Sequence, residues 1–265
     1  MELEQIARNI RREIVIMHAR ANASHIGSAL SIVDILTILY FKVMNIDPKN
    51  PNFKNRDKFI LSKGHASSAL YATLAERGFF AKALLESFYM DHGQLPGHLD
   101  KESVPGIEVS SGSLGHGLSI GVGFSIANKI DNLDSHVYVL CGDGELNEGS
   151  VWEAIMFASH KKLNNLTLIV DYNKLQAFGK TNEVVNLEPL KDKFLAFNWY
   201  AIEINGHDFK EIEKALLIKL DKPKAIIAHT IKGKGVSFME NKLEWHYKSP
   251  NKEQLQQALY ELNDK

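Results

Sequence analysis

The chain has 265 residues, 45% hydrophobic and 24% charged, the composition of an ordinary globular protein and enough for one compact core. A net charge of −1 supplies no broad attraction for nucleic acid or an anionic membrane, the acidic start Met1-Glu2-Leu3-Glu4-Gln5 carries no signal-peptide pattern, and no apolar run approaches a membrane span. Cys141 is the only cysteine, which excludes an internal disulfide, points to a reducing, cytoplasmic setting and reads as a small buried strand residue rather than a nucleophile.

In chain order, Ile6, Ile10, Ile14 and Met17 form the stripe of an opening helix, and a second helix is predicted from about Ser31 to Val43. Asp47 to Asn55, with Pro48 and Pro51, reads as a loop before a strand at Lys58 to Ser62 and a helix at Ala66 to Glu76. Ala81 to Met90 has neither glycine nor proline and can be helical until Asp91-His92-Gly93 turns the chain. Leu114 to Asn128, Glu148 to Lys162 and Asp208 to Leu220 read as helices, the last with Asp208 and Glu211 placed to cap it. Val137 to Cys141, Leu166 to Asp171, Trp199 to Ile204 and Lys224 to Thr230 read as strands. The alternation implies an α/β fold with a mostly parallel sheet covered by helices on both faces. With no repeat, low-complexity tract or linker, residues 1–265 are expected to form one domain.

Chemistry concentrates between Val137 and Leu175. The first apolar run stops at Gly142-Asp143-Gly144-Glu145, and Asn173 follows the second run about thirty residues on. In a strand-helix-strand unit the two strands lie parallel and their carboxyl ends share one edge, so Asp143 and Asn173 can meet. A lone Gly-Asp-Gly would more simply be a tight turn. A second oxygen ligand at the matching strand end favours a site for Mg²⁺ on a diphosphate, with the Leu175 carbonyl as a third ligand, because Mg²⁺ takes one or two carboxylates and shares phosphate oxygens. Gly142 and Gly144 would let the diphosphate approach the main chain, near the first turn of the following helix. Of the 11 histidines, His18, His92, His136 and His160 match no motif and read as ordinary surface or core residues.

Gly142-Asp143-Gly144 followed by Asn173 resembles the metal and diphosphate motif of thiamine-diphosphate enzymes. Gly142 to Gly149, Trp152-Glu153-Ala154 and Asp171 to Gln176 are similar to transketolase specifically. So, in order, are Ser24-His25-Ile26-Gly27-Ser28, Leu61-Ser62-Lys63-Gly64-His65-Ala66, Leu95-Pro96-Gly97-His98, Ser111 to Gly117, Asn205-Gly206-His207-Asp208 and Trp245-His246. A full transketolase resembles this chain only over its first part. The resemblance is therefore to the N-terminal, diphosphate-binding subunit of a split transketolase, with the pyrimidine-binding and C-terminal domains absent from this chain.

That resemblance implies a thiamine-diphosphate-binding fold and the cofactors thiamine diphosphate and Mg²⁺, with Ca²⁺ or Mn²⁺ as substitutes. Asp143, Asn173 and Leu175 would hold the metal. His65, His246, Gly142, Asp143, Gly144 and Asn173 would bind the cofactor diphosphate end. Ser113, Leu114 and Gly115 join the cofactor set, Leu114 and Gly115 through their backbone against the aminopyrimidine. His25 and His98 would line the substrate channel, and Glu148 would lie near the cofactor and link paired sites, against the simpler role of a helix N-terminal Glu that complements the macrodipole. Lys232-Gly233-Lys234-Gly235 could clamp phosphate, but a solvated basic loop is at least as good a reading, and it is left outside the site. Three departures stand out: Leu99 where the family commonly has Pro, which would alter the substrate channel, His116 in place of Gln, and Tyr247 where Trp-His is usually followed by Gly.

The implied reaction moves a two-carbon ketol unit from a ketose to an aldose, both phosphorylated sugars. A C-terminal transketolase subunit carrying the pyrimidine-binding domain would complete the site, in an α2β2 assembly. The rival readings are the α subunit of a 2-oxoacid dehydrogenase and a non-catalytic scaffold that binds cofactor for a partner.

Overall fold

The structure, a computed structural model, describes residues 2–263. Five strands, β1 (Lys58–Leu61), β2 (Val137–Gly142), β3 (Leu166–Tyr172), β4 (Tyr200–Asn205) and β5 (Lys224–His229), form one sheet in the order β1-β2-β3-β5-β4. Every neighbouring pair is parallel, so all five carboxyl ends open on one edge. Among the described residues ten α-helices accompany them: α1 (Leu3–Ala21), α2 (Ile26–Leu30), α3 (Val33–Ile38), α4 (Ser67–Arg77), α5 (Gly117–Ile130), α6 (Gly149–His160), α7 (Thr181–Val184), α8 (Leu190–Ala196), α9 (Phe209–Leu217) and α10 (Lys252–Glu261).

Strand alternation sorts the interior into two layers, because successive side chains leave a strand on opposite faces. Tyr138, Leu140 and Ile226 pack with Ile10, Ile14, Leu36 and Leu70 of α1, α3 and α4. Val139, Cys141, Val170 and Ile227 pack with Val122, Ile155 and Phe194 of α5, α6 and α8. Both faces of the central strands are thereby buried, which is why β3 is apolar or hydrogen-bonded at every position.

The expected opening helix is α1, with Ile6, Ile10, Ile14 and Met17 all buried. The helix expected from Ser31 to Val43 is instead α3 running into a π-helical turn at Leu39–Val43, preceded by the separate α2. Every residue from Ile26 to Tyr40 is buried, so packing on all sides, not one amphipathic stripe, sets where the turns break. Ala81 to Met90 is not an α-helix: Lys82–Ser87 form a 3-10 turn and Phe88 is extended, bridged to Leu95. Its two buried residues, Leu85 and Phe88, are three apart, the repeat of the tighter helix. α5 starts at Gly117 rather than Leu114, because Gly115 has φ +83°, outside the helical region. Asp208 caps α9 as expected, accepting from Lys210 and Glu211 N–H, while the Glu211 carboxylate turns to Asn205 N–H. α8 and α10 were not foreseen; α10 is announced by a capping box between Asn251 and Gln254.

Candidate active site

The register of β2 on β3 pairs Gly142 with Asp171. Asp143 and Asn173 therefore leave neighbouring strand tips side by side. Asp143 Oδ1 accepts from Gly144 N–H at 2.7 Å and Oδ2 from Lys174 N–H at 2.6 Å. Burial pushes this carboxyl up to about 6, helped by the negative charge of Asp171. A cation beside this carboxylate would favour its ionised form. Among the described residues no group of three or more His, Cys, Asp or Glu converges on a metal position; Asp143 with the neighbouring amide and backbone oxygens is the donor type Mg²⁺ accepts.

Asn173 is oriented from below. Its Nδ2 donates to Asp171 Oδ2 at 2.9 Å, which turns Oδ1 outward, where it accepts from Leu175 N–H at 3.0 Å. Asp171 is fully buried and also accepts from Lys63 Nζ at 2.6 Å, Ser31 Oγ at 2.7 Å and Thr230 Oγ1. Burial alone would raise the Asp171 carboxyl, but the Lys63 ammonium and these hydrogen bonds more than offset it and hold it below its usual range. Removing one partner of such a buried pair typically costs roughly 3–5 kcal/mol. The sequence reading gave neither Lys63 nor Asp171 a role, although a lysine at the end of an apolar strand and an aspartate inside another were available signals.

Glu145, in the same turn as Asp143, is a further residue whose role the sequence alone does not announce. Buried beneath the turn, it accepts from Ser62 Oγ, from Gly115 N–H at 2.9 Å and from Gly142 N–H at 3.1 Å, tying three sequence-distant loops together. Burial raises its carboxyl despite these donors.

Four histidines gather above this floor. His25 lies 5.1 Å from His65, 6.2 Å from His98 and 5.0 Å from His246, ring centre to ring centre. His25 has φ +76°, a left-handed conformation rare for a side chain of this size, and its N–H donates to His246 O at 2.8 Å. Burial, with the nearby His98 and Lys232, lowers the His25 imidazole to about 4; burial and Lys232 lower His246 to about 3; burial and Lys63 lower His65 well below its ordinary value. These three rings are neutral at pH 7 in the ligand-free chain. Tyr247 stands 4.8 Å from His246 and 6.3 Å from His25 at the mouth.

Lys232 is not solvated. Only 1% exposed, it donates to Leu175 O at 3.0 Å and reaches His246 Nδ1 at 2.9 Å, and burial with the Lys63 charge lowers it to about 8. The basic-loop reading is corrected: the apolar stem is buried and the ammonium enters the site. Lys234 does stay at the surface, 3.4 Å from Glu240.

These groups line one cleft of about 440 Å³ that contains His25, His65, His98, Leu114, Gly142, Asp143, Gly144, Glu148, Asn173, Leu175 and His246. Glu148 is exposed and precedes α6 without capping it through its side chain. Gly115 sits behind the cleft wall against Glu148 and Ser150. Ser113 is not brought into the cleft; it lines a neighbouring hollow with Ser111, Gly112 and His116. Leu99 is buried after His98 and borders that same neighbouring hollow. A larger hollow of about 640 Å³ opens among Asp134, His136 and Leu217 near the amino-terminal ends of the strands, so convergent chemistry rather than size marks the site.

The donors fit a metal diphosphate: a buried carboxylate, an oriented amide oxygen, imidazoles on the cleft wall, and the buried Lys232 ammonium held against two lining residues, Leu175 and His246. Residues 3–262 match the family described as transketolase, thiamine diphosphate binding domain. The chain is 43% identical to a subunit of the apulose-4-phosphate transketolase of Phocaeicola vulgatus, with 99% of this chain and 94% of that one covered. It is 42% identical to a 6-deoxy-6-sulfo-D-fructose transketolase subunit of Clostridium sp., covering 99% and 96%. Human transketolase is 37% identical over 98% of this chain but only 42% of its own length. The crystal structure of transketolase from Campylobacter jejuni superposes with a TM-score of 0.94 at 35% identity, covering 99% of this chain and 43% of that one. By sequence, by fold and by the make-up of its cleft, the chain belongs to the transketolase family, of which it carries the thiamine diphosphate-binding domain.

Proposed function

We propose that this chain is the diphosphate-binding subunit of a two-chain transketolase, transferring a ketol unit between sugar phosphates with thiamine diphosphate and Mg²⁺. The observation that carries the reading is the meeting of Asp143 and Asn173 at adjacent parallel strand tips, beneath a cluster of histidines. Asp143, Asn173 Oδ1 and the Leu175 carbonyl would hold the metal, Ca²⁺ or Mn²⁺ serving in its place. Lys232, left out of the sequence-based site, would share Leu175 O and face the diphosphate with His65 and His246. Bound there, the cofactor supplies the electron sink for carbon–carbon cleavage.

The chain's own residues position and protonate. Neutral His25 can donate one N–H to a sugar oxygen while its other nitrogen accepts, as it can toward Ser24 Oγ at 3.2 Å, and His98 stands across the mouth to do the same. Leu114 and Gly115 would meet the aminopyrimidine through their backbone, with Ser113 in the neighbouring hollow. Glu148 would lie toward the second site of the assembly.

A second chain with a pyrimidine-binding domain would complete the cofactor grip. Two apulose-4-phosphate transketolase relatives, each named as one subunit of its enzyme and matched over nearly its whole length, support this division of labour. The α2β2 arrangement is supported by exposed apolar residues on α5 and α6: Ile130 is 73% exposed and Met156 57%, and Ile120 and Phe157 of the same helices are exposed as well. A second copy of this chain would cover them. No helix among the described residues is long and apolar enough to cross a membrane, and the reading places the reaction in the cytoplasm.

The test is a ketol-transfer assay of the purified chain alone and with a candidate C-terminal subunit. Turnover is expected only from the pair; robust turnover by the single chain would refute the reading.

A further inference from the structure

Buried polar atoms without partners are rare in folded proteins, and each needs a physical account. Among the described residues three side-chain atoms are of this kind: Glu76 Oε2, Gln176 Nε2 and Thr181 Oγ1. Glu76 Oε2 faces the Lys82 ammonium as an ion pair. The other two flank one carboxylate. Thr181 lies close enough to lower the Asp143 carboxyl, and Gln176 packs over the glycine that follows Asp143, so that a Cβ on Gly144 would come within 2.9 Å of Gln176 Cγ and 3.0 Å of Cδ.

The Gln176 backbone is fixed. Its N–H donates to Gly179 O at 2.9 Å within a turn closed by the Leu175–Lys180 bridge, and Thr181 N–H donates to Lys174 O at 3.0 Å. Its side chain lines the cleft beside Asp143, Asn173 and His246. A tethered amide donor, shut off from solvent and aimed at nothing in the protein, destabilises the empty fold and gains only when an acceptor arrives.

We propose that Gln176 Nε2 is a built contact for an anionic phosphate oxygen of the metal-bound diphosphate, a role that no Gly-Asp-Gly or Asn ligand performs. This rests on the cleft being the metal-diphosphate site. Occupation of the cleft turns a cost of the empty protein into binding energy, so affinity and empty-state stability move in opposite directions when the amide is removed.

The experiment uses the full chain, Mg²⁺ and inorganic diphosphate, read by thermal melting and calorimetry on wild type, Gln176→Met, Gln176→Glu and Asp143→Ala. Gln176→Met fills the same volume without a polar group; it is expected to melt about 2–4 °C higher when empty and to bind magnesium diphosphate about tenfold more weakly. Gln176→Glu, an acceptor carrying negative charge, should bind more weakly still. Wild-type affinity in Gln176→Met or Gln176→Glu, with binding still lost in Asp143→Ala, overturns this inference alone. No diphosphate binding by wild type, or binding indifferent to Asp143→Ala, overturns the underlying site and the inference with it. Mn²⁺ titrated without diphosphate separates the two oxygen sources: equal affinity in wild type and Gln176→Met supports the phosphate contact, whereas weaker Mn²⁺ binding in the variant assigns the amide to a metal-held water and overturns it.

Discussion

At Asp143 the fold holds a carboxylate whose negative form is penalised by burial and by Asp171, and whose two oxygens are already engaged by backbone N–H groups. A divalent ion is the natural compensation. Asp143→Ala in the reconstituted complex is expected to abolish Mg²⁺-dependent cofactor binding, measured by calorimetry, while leaving the melting temperature of the ligand-free chain unchanged or raised. Unchanged affinity would remove Asp143 from the ligand set. This pair of ligands was legible in sequence because both residues end apolar runs and parallel topology fixes where such ends lie. The supports were not legible. Lys63, Glu145 and Lys232 act through partners 108, 83 and 57 positions away in the chain, and no local pattern distinguishes a buried lysine from a solvated one.

Among the elements, those with one apolar stripe or a clear strand run were readable, and those anchored by a few tertiary contacts were not. α1 was found from its stripe, whereas the Lys82–Ser87 turn depends on where Leu85 and Phe88 are received. α1 is fastened to α4 by a histidine. His18 is buried; its Nδ1 lies 3.0 Å from Ala23 O, which only accepts, so the ring proton is there, and Nε2 accepts from Ser68 Oγ at 2.8 Å. Burial lowers its imidazole to about 4, against an opposing pull from the Ala23 carbonyl and a further lowering by His25. The unfolded chain therefore binds a proton that the folded chain refuses between pH 6.5 and about 4, and stability falls as pH drops through that window. His18→Gln should flatten the fall, by up to about 1.4 kcal/mol per pH unit in urea denaturation. An unaltered slope would mean that the ring is already solvated.

For the molecule as a whole, the proposed assembly makes the α5 and α6 face the counterpart of the cleft: a different chain would complete the cleft, and an identical one would cover this face. Both helices bury apolar residues against the sheet and still expose four large ones, Ile120, Ile130, Met156 and Phe157, beside polar neighbours such as Glu153. Met156→Glu should reduce the assembly to smaller species in sedimentation while leaving the circular dichroism of the chain intact; an unchanged sedimentation coefficient would move the contact elsewhere. Cys141 lies at the heart of β2, wholly enclosed and two residues before Asp143. A thiol-directed dye can reach that sulfur only after the strands part, so the labelling rate becomes a clock for opening, with a single stopwatch hand. Magnesium and diphosphate should slow the clock in proportion to their occupancy, and a rate indifferent to both would mean that the sheet opens without disturbing its tip.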